Sequence, residues 1–220
     1  MAIPSFLPPA LKTPPAAPGA ARLTGALAAM LSDPVVAVVR DAKELDDALV
    51  SRVSAIEFRA GDLRTLPREV ARAREAGKAV FLYPELISGL GRDPAAIEFL
   101  CGYARPNVVV STKKQILQKA RACGLTTIFQ IFMIDTQAFE TGIQAAAKTD
   151  CDAVEIMPGA IPHIVREVCG FIELPVLCAG LVKTTAEIEV LLAAGASAVA
   201  TSRRPLWFMN PASTEGGAAA

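Results

Sequence analysis

The chain has 220 residues, a length that suits a single domain, and hydrophobic residues make up 52% of it, which excludes wholesale disorder. The apolar residues occur in short runs, none close to the roughly 20 consecutive residues that a membrane-spanning helix needs, so we predict no membrane association. The 22 basic residues balance the 22 acidic ones, so any nucleic-acid binding must depend on local patches rather than on bulk charge.

The first part of the chain is rich in proline and alanine. It has neither the early positive charge nor the unbroken apolar segment of a secretory signal, so we interpret residues 1–20 as a flexible extension. A helical pattern follows at Ala21–Leu31, and we expect this helix to pack on the domain and close its bottom. The domain is predicted to span residues 21–210, followed by a disordered tail at 211–220.

From Asp33 onward, short apolar segments alternate with amphipathic ones. The segments are rich in Val and Ile and lack strict polar alternation, which is typical of parallel strands buried on both faces. The predicted strands are Val35–Val39, Ala55–Phe58, Ala79–Tyr83, Asn107–Ser111, Thr126–Ile131, Ala153–Met157, Pro175–Cys178 and Ala198–Thr201.

The segments between the strands carry helix start and stop signals. These are Asp41 before a segment ending at Val50, Arg64–Ala76 before Gly77, Lys113–Cys123 before Gly124, Asp135 before a segment ending near Lys148, and Thr184 or Thr185 before a segment ending at Ala194. Eight strands alternating with helices predict a (β/α)₈ TIM barrel. An open doubly wound sheet is the alternative, and the number of strands favours the barrel.

The seventh and eighth predicted strands both end in small residues, Ala179-Gly180 and Thr201-Ser202. In such a barrel the site lies at the C-terminal ends of the strands, and backbone N–H groups after strands 7 and 8 often bind a phosphate. Arg203 and Arg204 would supply positive charge nearby. Small residues also serve ordinary tight turns, but their occurrence at two consecutive strand ends favours a phosphate site.

Polar residues stand at the other strand ends as well. They include Arg40, Arg59, Glu85, Ser111, Lys113, Gln130, Glu155 and Gly159. Glu85 and Glu155 could form an acid/base pair, or could hydrogen-bond a small polyol without any reaction. Few other residues are candidates for catalysis. The only histidine, His163, follows a proline and begins a helix, and no lysine lies inside a predicted strand.

Several strand-end residues lie in segments whose order and joint spacing are specific. These segments are Glu85-Leu-Ile-Ser-Gly-Leu90 with Asp93, Val110-Ser-Thr112, Ile131-Phe132 with Asp135, Glu155-Ile-Met-Pro-Gly159, and Thr201-Ser202 with Leu206-Trp207. Together they resemble the glycerol-3-phosphate-responsive antiterminators, the regulators of glycerol uptake operons. The resemblance spans Asp33 to Trp207, nearly the whole domain.

The resemblance implies a non-catalytic barrel that binds glycerol 3-phosphate. In its liganded form it would bind the leader of a messenger RNA and let transcription pass a terminator. By carry-over, the phosphate would contact Gly159, Ala179, Gly180, Thr201 and Ser202, and the carboxylates of Glu85 and Glu155 would face the glycerol hydroxyls. We add Ser111, Lys113, Gln130 and Arg203 to the ligand-binding candidates because they stand at the same ends of their strands.

The chain departs from the family pattern at four of these positions. It has Glu85 where the family has Asp, Gln130 where it has Arg, Ala179 where it has Gly, and Arg203 where it has Asn. Loss of an arginine from a strand end removes a partner for phosphate, and Arg203 restores a positive charge nearby. A different phosphorylated ligand is therefore an alternative to glycerol 3-phosphate.

RNA binding would require local basic clusters. Arg64, Arg68 and Arg72 share one helical face, and Lys114 and Arg204 mark two further clusters. From charge alone ordinary solvated surface is the better interpretation, and aromatic residues, at 5%, do not form the basic-aromatic pattern of a dedicated RNA module. RNA binding is thus implied by the resemblance alone.

The remaining expectations concern cellular setting and reaction class. Five cysteines, an odd number without CxxC spacing, are typical of buried reduced thiols in a cytoplasmic protein rather than of disulfides or zinc. No metal or cofactor is predicted, and the sequence leaves open whether the protein forms a homodimer. The alternative function is a phosphate-binding barrel enzyme, an isomerase or lyase, with Glu85 or Glu155 as its base.

Overall fold

The computed structural model describes residues 25–209. Eight parallel strands close into a barrel in which each strand pairs with its neighbours along the chain and the last pairs with the first. The predicted (β/α)₈ fold is therefore confirmed and the open sheet is excluded. The predicted extension at residues 1–20 and the predicted tail at 211–220 lie outside the described residues.

The barrel strands, β1 to β8, agree with the predicted strands to within one residue at each end. They are β1 Val35–Val39, β2 Ala55–Phe58, β3 Ala79–Leu82, β4 Val108–Ser111, β5 Thr126–Phe132, β6 Ala153–Met157, β7 Val176–Ala179 and β8 Ala198–Thr201. Most are buried along their whole length, as expected for strands covered on both faces.

One helix precedes β1, and one helix connects each pair of successive strands. They are α1 Gly25–Met30, α2 Ala42–Val50, α3 Leu66–Glu75, α4 Pro94–Phe99, α5 Lys114–Ala122, α6 Thr136–Ala147, α7 Pro162–Phe171 and α8 Thr185–Ala193. A π turn at Leu100–Ala104 extends α4, and a 3₁₀ turn at Arg204–Trp207 follows β8. None of the helices within residues 25–209 is long and apolar enough to span a bilayer.

The helix caps follow the signals in the sequence. The Asp41 carboxylate accepts a hydrogen bond from Glu44 N–H, and Asp135 does the same from Ala138 N–H. Thr184 rather than Thr185 caps α8, in a reciprocal capping box with Glu187. Helix α3 begins two residues later than predicted, because the backbone before it turns over Asp62, which accepts from the N–H groups of Arg64 and Thr65.

Helix α1 closes the bottom of the barrel. Its Leu27, together with Leu31, packs in one cluster with the small residues that line the barrel's N-terminal end, among them Ala55, Ala79 and Ala198. Small side chains there leave room for the two leucines. The interior above is filled by larger side chains such as Phe81 and Tyr83, so the barrel has a packed core rather than a channel.

Two short strands outside the barrel were not expected from the sequence. Gly61–Asp62, after β2, pairs in parallel with Ile87–Ser88, after β3, and Leu63 N–H adds a bond of 2.9 Å to the Ser88 carbonyl. This small sheet joins two loops at the C-terminal end of the barrel. The pairing is long-range and each strand has two residues, so no local periodicity indicates it.

Close packing of α6 on β5 depends on Gly142. A Cβ atom at this position would lie 2.2 Å from Cγ2 of Ile131. We expect Gly142→Ala to lower the free energy of unfolding by about 1–3 kcal/mol, measured by urea denaturation. The matched control is Gly102→Ala, where a Cβ meets no atom within 4 Å and the change should be neutral or slightly stabilising. Equal midpoints for the two variants would contradict this packing.

Candidate functional site

A cavity of about 200 Å³ opens at the C-terminal ends of β7 and β8. Its lining includes Ala179, Gly180, Thr201 and Ser202, the residues that the sequence singled out at these two strand ends. The parallel pairing of the two strands, with Ala179 opposite Ala200, brings the two junctions together. The position is the one at which barrels of this class often bind a phosphate.

Four of the residues that line this cavity have a backbone N–H group without an acceptor within residues 25–209. They are Gly180, Leu181, Val182 and Ser202. The turn that carries the first two is unusual, because Gly180 has φ +84° and Leu181 φ +64°. A left-handed conformation costs a residue such as leucine about 1–2 kcal/mol, a cost often found at functional sites. Unpaired amides in a concave site favour an anion.

The hydroxyl of Thr201 is engaged in holding the two junctions together. Its Oγ1 donates to the Val182 carbonyl at 3.1 Å and accepts from Arg203 N–H at 3.1 Å, and the side chain is buried. The Thr201 carbonyl in turn accepts from Nε1 of Trp207 at 2.8 Å. Thr201 therefore shapes the cavity, and the exposed Ser202 is the junction residue whose hydroxyl is free for a ligand.

The backbone N–H of Gly159, a predicted phosphate contact, is already hydrogen-bonded. It donates to the Ala179 carbonyl at 2.6 Å, so it cannot also donate to an anion. A Cβ atom on Gly159 would lie 2.6 Å from the backbone N of Ala179. The position needs glycine because the loop after β6 runs against β7, and its contribution to the site is the placement of Ala179.

Two arginines that the sequence analysis noted at strand ends, but did not select, also line the cavity. Arg40 follows β1 and Arg59 follows β2. Arg40 is exposed and pairs with Glu44 through Nε at 3.2 Å and Nη2 at 2.5 Å. β1 pairs with β8 in the closed barrel, so a charged residue after β1 lies beside the loop after β8. This adjacency was the signal from which Arg40 could have been predicted.

Arg59 connects the cavity to a buried polar layer, which consists of Glu57, Tyr83, Gln130 and Glu155. Its Nη2 donates to Glu155 Oε1 at 2.7 Å and to the Tyr83 hydroxyl at 3.1 Å, and its Nε donates to the Glu57 carboxylate. The guanidinium also stacks over the Tyr83 ring at 4.4 Å. Glu57 and Glu155 are both fully buried, so this one cation compensates two carboxylates.

The predicted ligand contacts Gln130 and Glu155 lie in this layer rather than on the cavity wall. The two are opposite each other on β5 and β6, and Gln130 Nε2 donates to Glu155 Oε1 at 2.7 Å. The same Oε1 accepts from the Tyr83 hydroxyl. Glu155 Oε2 is buried and has no partner within the described residues, and the same holds for Oε2 of Glu57. Oε2 of Glu155 is therefore an acceptor that the layer leaves open.

Burial governs the protonation of the layer. Removal from water, followed by the charge of Glu155, raises the pKa of Glu57 to about 8 against the opposing effect of Arg59. Burial and Glu155 likewise raise the pKa of Tyr83 well above its usual value. Burial alone would lower the pKa of Arg59, but the charges of Glu57 and Glu155 outweigh this effect and raise the pKa. Near neutral pH the layer therefore holds a proton on Glu57 beside a charged Arg59.

The other predicted ligand residues form a separate cluster at the ends of β3 and β4. The Ser111 hydroxyl donates to the Glu85 carboxylate and accepts from Lys113 N–H at 2.9 Å. Glu85 Oε2 is buried without a partner within residues 25–209. Glu85, Ser111 and Lys113 do not line the cavity, and β3 and β4 lie across the barrel ring from β7 and β8.

Most of the predicted RNA-binding residues have partners within the chain. Arg64 pairs with Asp62 at 2.8 Å, Arg72 with Asp46 at 2.6 Å, and Arg204 with Asp47 at 2.8 Å. Lys114 Nζ donates to the Lys148 carbonyl at 2.7 Å. Within the described part of the chain only Arg68 of the five lacks a partner. The α3 face is thus largely neutralised by its surroundings.

The cysteines are free thiols in the described structure. Cys151 and Cys178 are buried, Cys101 and Cys169 are partly buried, and Cys123 is exposed. The expectation that all five are buried is wrong for Cys123, which follows α5 at its solvent-facing end. Burial raises the pKa of Cys151 and of Cys169 to about 11, so these two thiols are unreactive near neutral pH.

Comparison with known proteins identifies the family. The family model for "Glycerol-3-phosphate responsive antiterminator" matches residues 35–207, from the first barrel strand to the turn after the last. The chain belongs to the glycerol-3-phosphate responsive antiterminator family. The family described by that name is regulatory, and the resemblance stated from the strand-end segments is confirmed.

Relatives of this antiterminator family span nearly the same length. A glycerol uptake operon antiterminator regulatory protein from Listeria monocytogenes is 30% identical, with a TM-score of 0.76 over 79% of this chain and 94% of its own. A related protein from Thermotoga maritima is 28% identical, with a TM-score of 0.70 over 80% and 98%. The uncharacterized protein YgcP of Escherichia coli (strain K12) is 29% identical over 177 residues, 80% of this chain and 93% of its own.

The buried proton on Glu57 predicts a pH dependence of stability. A carboxyl whose pKa is raised on folding stabilises the protein fully below its unfolded pKa of about 4.3, and loses that contribution as the pH rises through about 8. We expect Glu57→Gln to remove this slope, which is at most about 1.4 kcal/mol per pH unit. The measurement is urea unfolding across this pH range. The exposed Glu98→Gln should keep the wild-type slope, and a wild-type slope in Glu57→Gln would contradict the assignment.

Proposed function

We propose that this protein is a non-catalytic sensor that binds glycerol 3-phosphate in the cavity at β7 and β8. In its liganded form it binds the leader RNA of a glycerol-utilisation operon and acts in transcription antitermination. The observation that carries the proposal is the combination of four unpaired N–H groups, at Gly180, Leu181, Val182 and Ser202, with two arginines that line the same cavity. Family membership supplies the ligand class and the regulatory role.

The phosphate end of the ligand fits this wall. A phosphate offers several acceptor oxygens, which would accept hydrogen bonds from the free N–H groups and from the Ser202 hydroxyl. Arg40 and Arg59 would donate further hydrogen bonds to it, although Glu44 and Glu155 already offset part of their charge. Ala179, with Gly180, leaves space for the anion to approach the backbone. No metal is required for this mode of binding.

The glycerol end would meet the buried layer beneath. Glu155 Oε2 is an acceptor without a donor within residues 25–209, and leaving such a group unpaired costs about 1–3 kcal/mol. A ligand hydroxyl reaching past Arg59 would satisfy it. In this arrangement Gln130 acts indirectly, by fixing the position of Glu155 through their 2.7 Å hydrogen bond. Glu85 plays no part in it.

The same geometry favours binding over catalysis. No lysine occurs in any of the eight described strands, which disfavours Schiff-base chemistry. Glu155 accepts three hydrogen bonds on Oε1, and neither Glu155 nor Glu57 lines the cavity, so neither carboxyl group lies on the wall where a substrate would bind. His163 is exposed in the first turn of α7 and does not line the cavity. Solved structures at 10% to 15% identity include aldolases and share the barrel fold alone.

A negative charge introduced into the cavity wall by substitution tests the ligand site. We expect Ser202→Asp to weaken binding of glycerol 3-phosphate by more than about 100-fold, because unit charges about 4 Å apart repel by about 4 kcal/mol at an effective dielectric constant near 20. Ser202→Asn, of nearly the same size and uncharged, is the matched control and should retain binding within about tenfold. Isothermal titration calorimetry measures both. Equal affinities for the two variants would place the ligand elsewhere.

The effect of the ligand on RNA affinity tests the regulatory role. We expect leader RNA of the glycerol-utilisation operon to bind about tenfold or more tightly in the presence of saturating glycerol 3-phosphate, at one fixed salt concentration. Fluorescence anisotropy with the purified full chain measures the difference. Equal RNA affinity with and without the ligand would contradict the gating role.

Turnover of triose or pentose phosphates by the same preparation, lost in Glu155→Gln, would favour an enzyme instead.

A further inference from the structure

The basic residues without partners are distributed unevenly over the described surface. Eight described arginines and lysines have side chains that make no ion pair or hydrogen bond within residues 25–209, and half of them follow barrel strands at the C-terminal end. These four are Arg92 after β3, Lys113 after β4, Lys183 after β7 and Arg203 after β8. All four are exposed. On the sides of the barrel, cations such as Arg72 and Arg121 pair with carboxylates, and others such as Lys78 donate to backbone carbonyls.

The carboxylates on the same loops hydrogen-bond groups other than the side chains of these four cations. Asp93 and Asp135 accept backbone N–H groups as helix caps, and Glu187 does so in the capping box of α8. Glu85 is held by Ser111. The four cations therefore keep their side-chain donors free for the phosphates of a ligand, although the carboxylates on these loops offset their charge.

Exposed apolar side chains lie on the same loops. Leu86 follows β3, Phe132 ends β5, Ile134 follows it, and Leu181 follows β7, with exposed fractions of 45%, 44%, 79% and 68%. Side chains of this kind are normally covered when they occur together. Unpaired cations beside an exposed aromatic ring and aliphatic side chains are the combination that single-stranded nucleic acids use, because phosphates take the charges and unstacked bases take the apolar groups.

Building on the proposed function, we propose that single-stranded RNA binds across the mouth of the barrel. The mouth surface consists of Arg92, Lys113, Lys183 and Arg203 with Leu86, Phe132, Ile134 and Leu181. In the closed ring β3 and β4 lie opposite β7 and β8, so the cations form two groups on opposite sides of the mouth. Phe132, with Ile134, lies between these groups on the β5 side. The α3 face, one of three basic clusters noted in the sequence, is the weaker candidate because Arg64 and Arg72 form ion pairs there.

The ligand cavity and the mouth surface share two loops. Leu181 and Ser202 line the cavity, and Lys183 and Arg203 follow them closely in the chain. A phosphate bound to the free N–H groups of Gly180 and Ser202 would fix both loops and so place both cations. The ligand is itself an anion and lowers the local positive potential, so higher RNA affinity in its presence comes from loop ordering rather than from charge.

The test compares two double variants with the same change in charge. Arg92→Ala/Lys183→Ala removes two mouth cations that do not line the cavity, and Arg64→Ala/Arg68→Ala removes two arginines of the α3 region. Each full-length protein is titrated with glycerol 3-phosphate by calorimetry and, at ligand saturation, with labelled single-stranded leader RNA over a range of salt concentrations. Thermal unfolding followed by circular dichroism verifies that both variants fold.

We expect the mouth variant to bind RNA about tenfold more weakly, with the slope of log affinity against log salt concentration reduced by roughly 1.4, since each single-strand phosphate contact contributes about 0.7. Its affinity for glycerol 3-phosphate should match the wild type, and the α3 variant should match the wild type in both titrations. RNA affinity lost only in the α3 variant, or retained in both variants, would overturn the mouth surface. Failure of the wild type to bind the ligand or the RNA would instead overturn the proposed function.

The apolar part of the surface has its own test. Phe132→Ser should weaken RNA binding about tenfold without changing the salt slope, because it removes stacking and no charge. Val50→Ser, at an exposed apolar position at the end of α2, is the matched control and should have no effect. If Phe132→Ser leaves RNA binding intact but converts a dimer into a monomer in sedimentation experiments, the mouth is covered by a second copy of the chain and the RNA proposal is overturned.

Discussion

The pairing of β1 with β8 is the constraint on which the rest of the site depends. Val36 pairs with Ala200 and Ala37 with Thr201, so the first and last strands of the barrel become neighbours. This closure places Arg40, from the start of the domain, beside the loops after β7 and β8, from its end. An open sheet of the same strands would leave these groups at opposite edges, and the cavity would have amides on one side and no cation on the other.

The floor of the cavity is built from charges that a barrel interior normally excludes. Two buried carboxylates against one guanidinium would be unfavourable if all three were ionised, because desolvation of the second negative charge has no compensating partner. The raised pKa of Glu57 resolves this by keeping a proton there near neutral pH. Arg59 then has a balanced partner in Glu155, and Tyr83 and Gln130 hold Glu155 from the sides. The layer fixes the orientation of Arg59, which in turn forms part of the cavity wall.

Much of the fold could be predicted from the sequence because its signals are local. Each strand is an apolar run, and helix caps such as Asp41, Asp135 and Thr184 act on amides three residues away. The junctions at Ala179-Gly180 and Thr201-Ser202 were found because small residues stood at predictable strand ends.

What could not be predicted depends on partners distant in the chain. The Gly159 amide is consumed by Ala179, and Arg72 is neutralised by Asp46 on another helix. Glu85, Ser111 and Lys113 qualified by their position along the strand, but the order of strands around the predicted barrel, which places β3 and β4 opposite β7 and β8, was not applied to them. Arg59 and Tyr83 were missed because their importance comes from Glu155 on β6.

The closed bottom of the barrel has a kinetic consequence. Leu27 and Leu31 seal the N-terminal end, and the interior is packed up to Tyr83, so a molecule in the cavity can leave only through the end at which it entered. RNA bound across this open end of the barrel would block the release of the metabolite beneath it. Release would then be ordered, with the nucleic acid departing before the small molecule, and a bound transcript would outlast a brief fall in metabolite concentration.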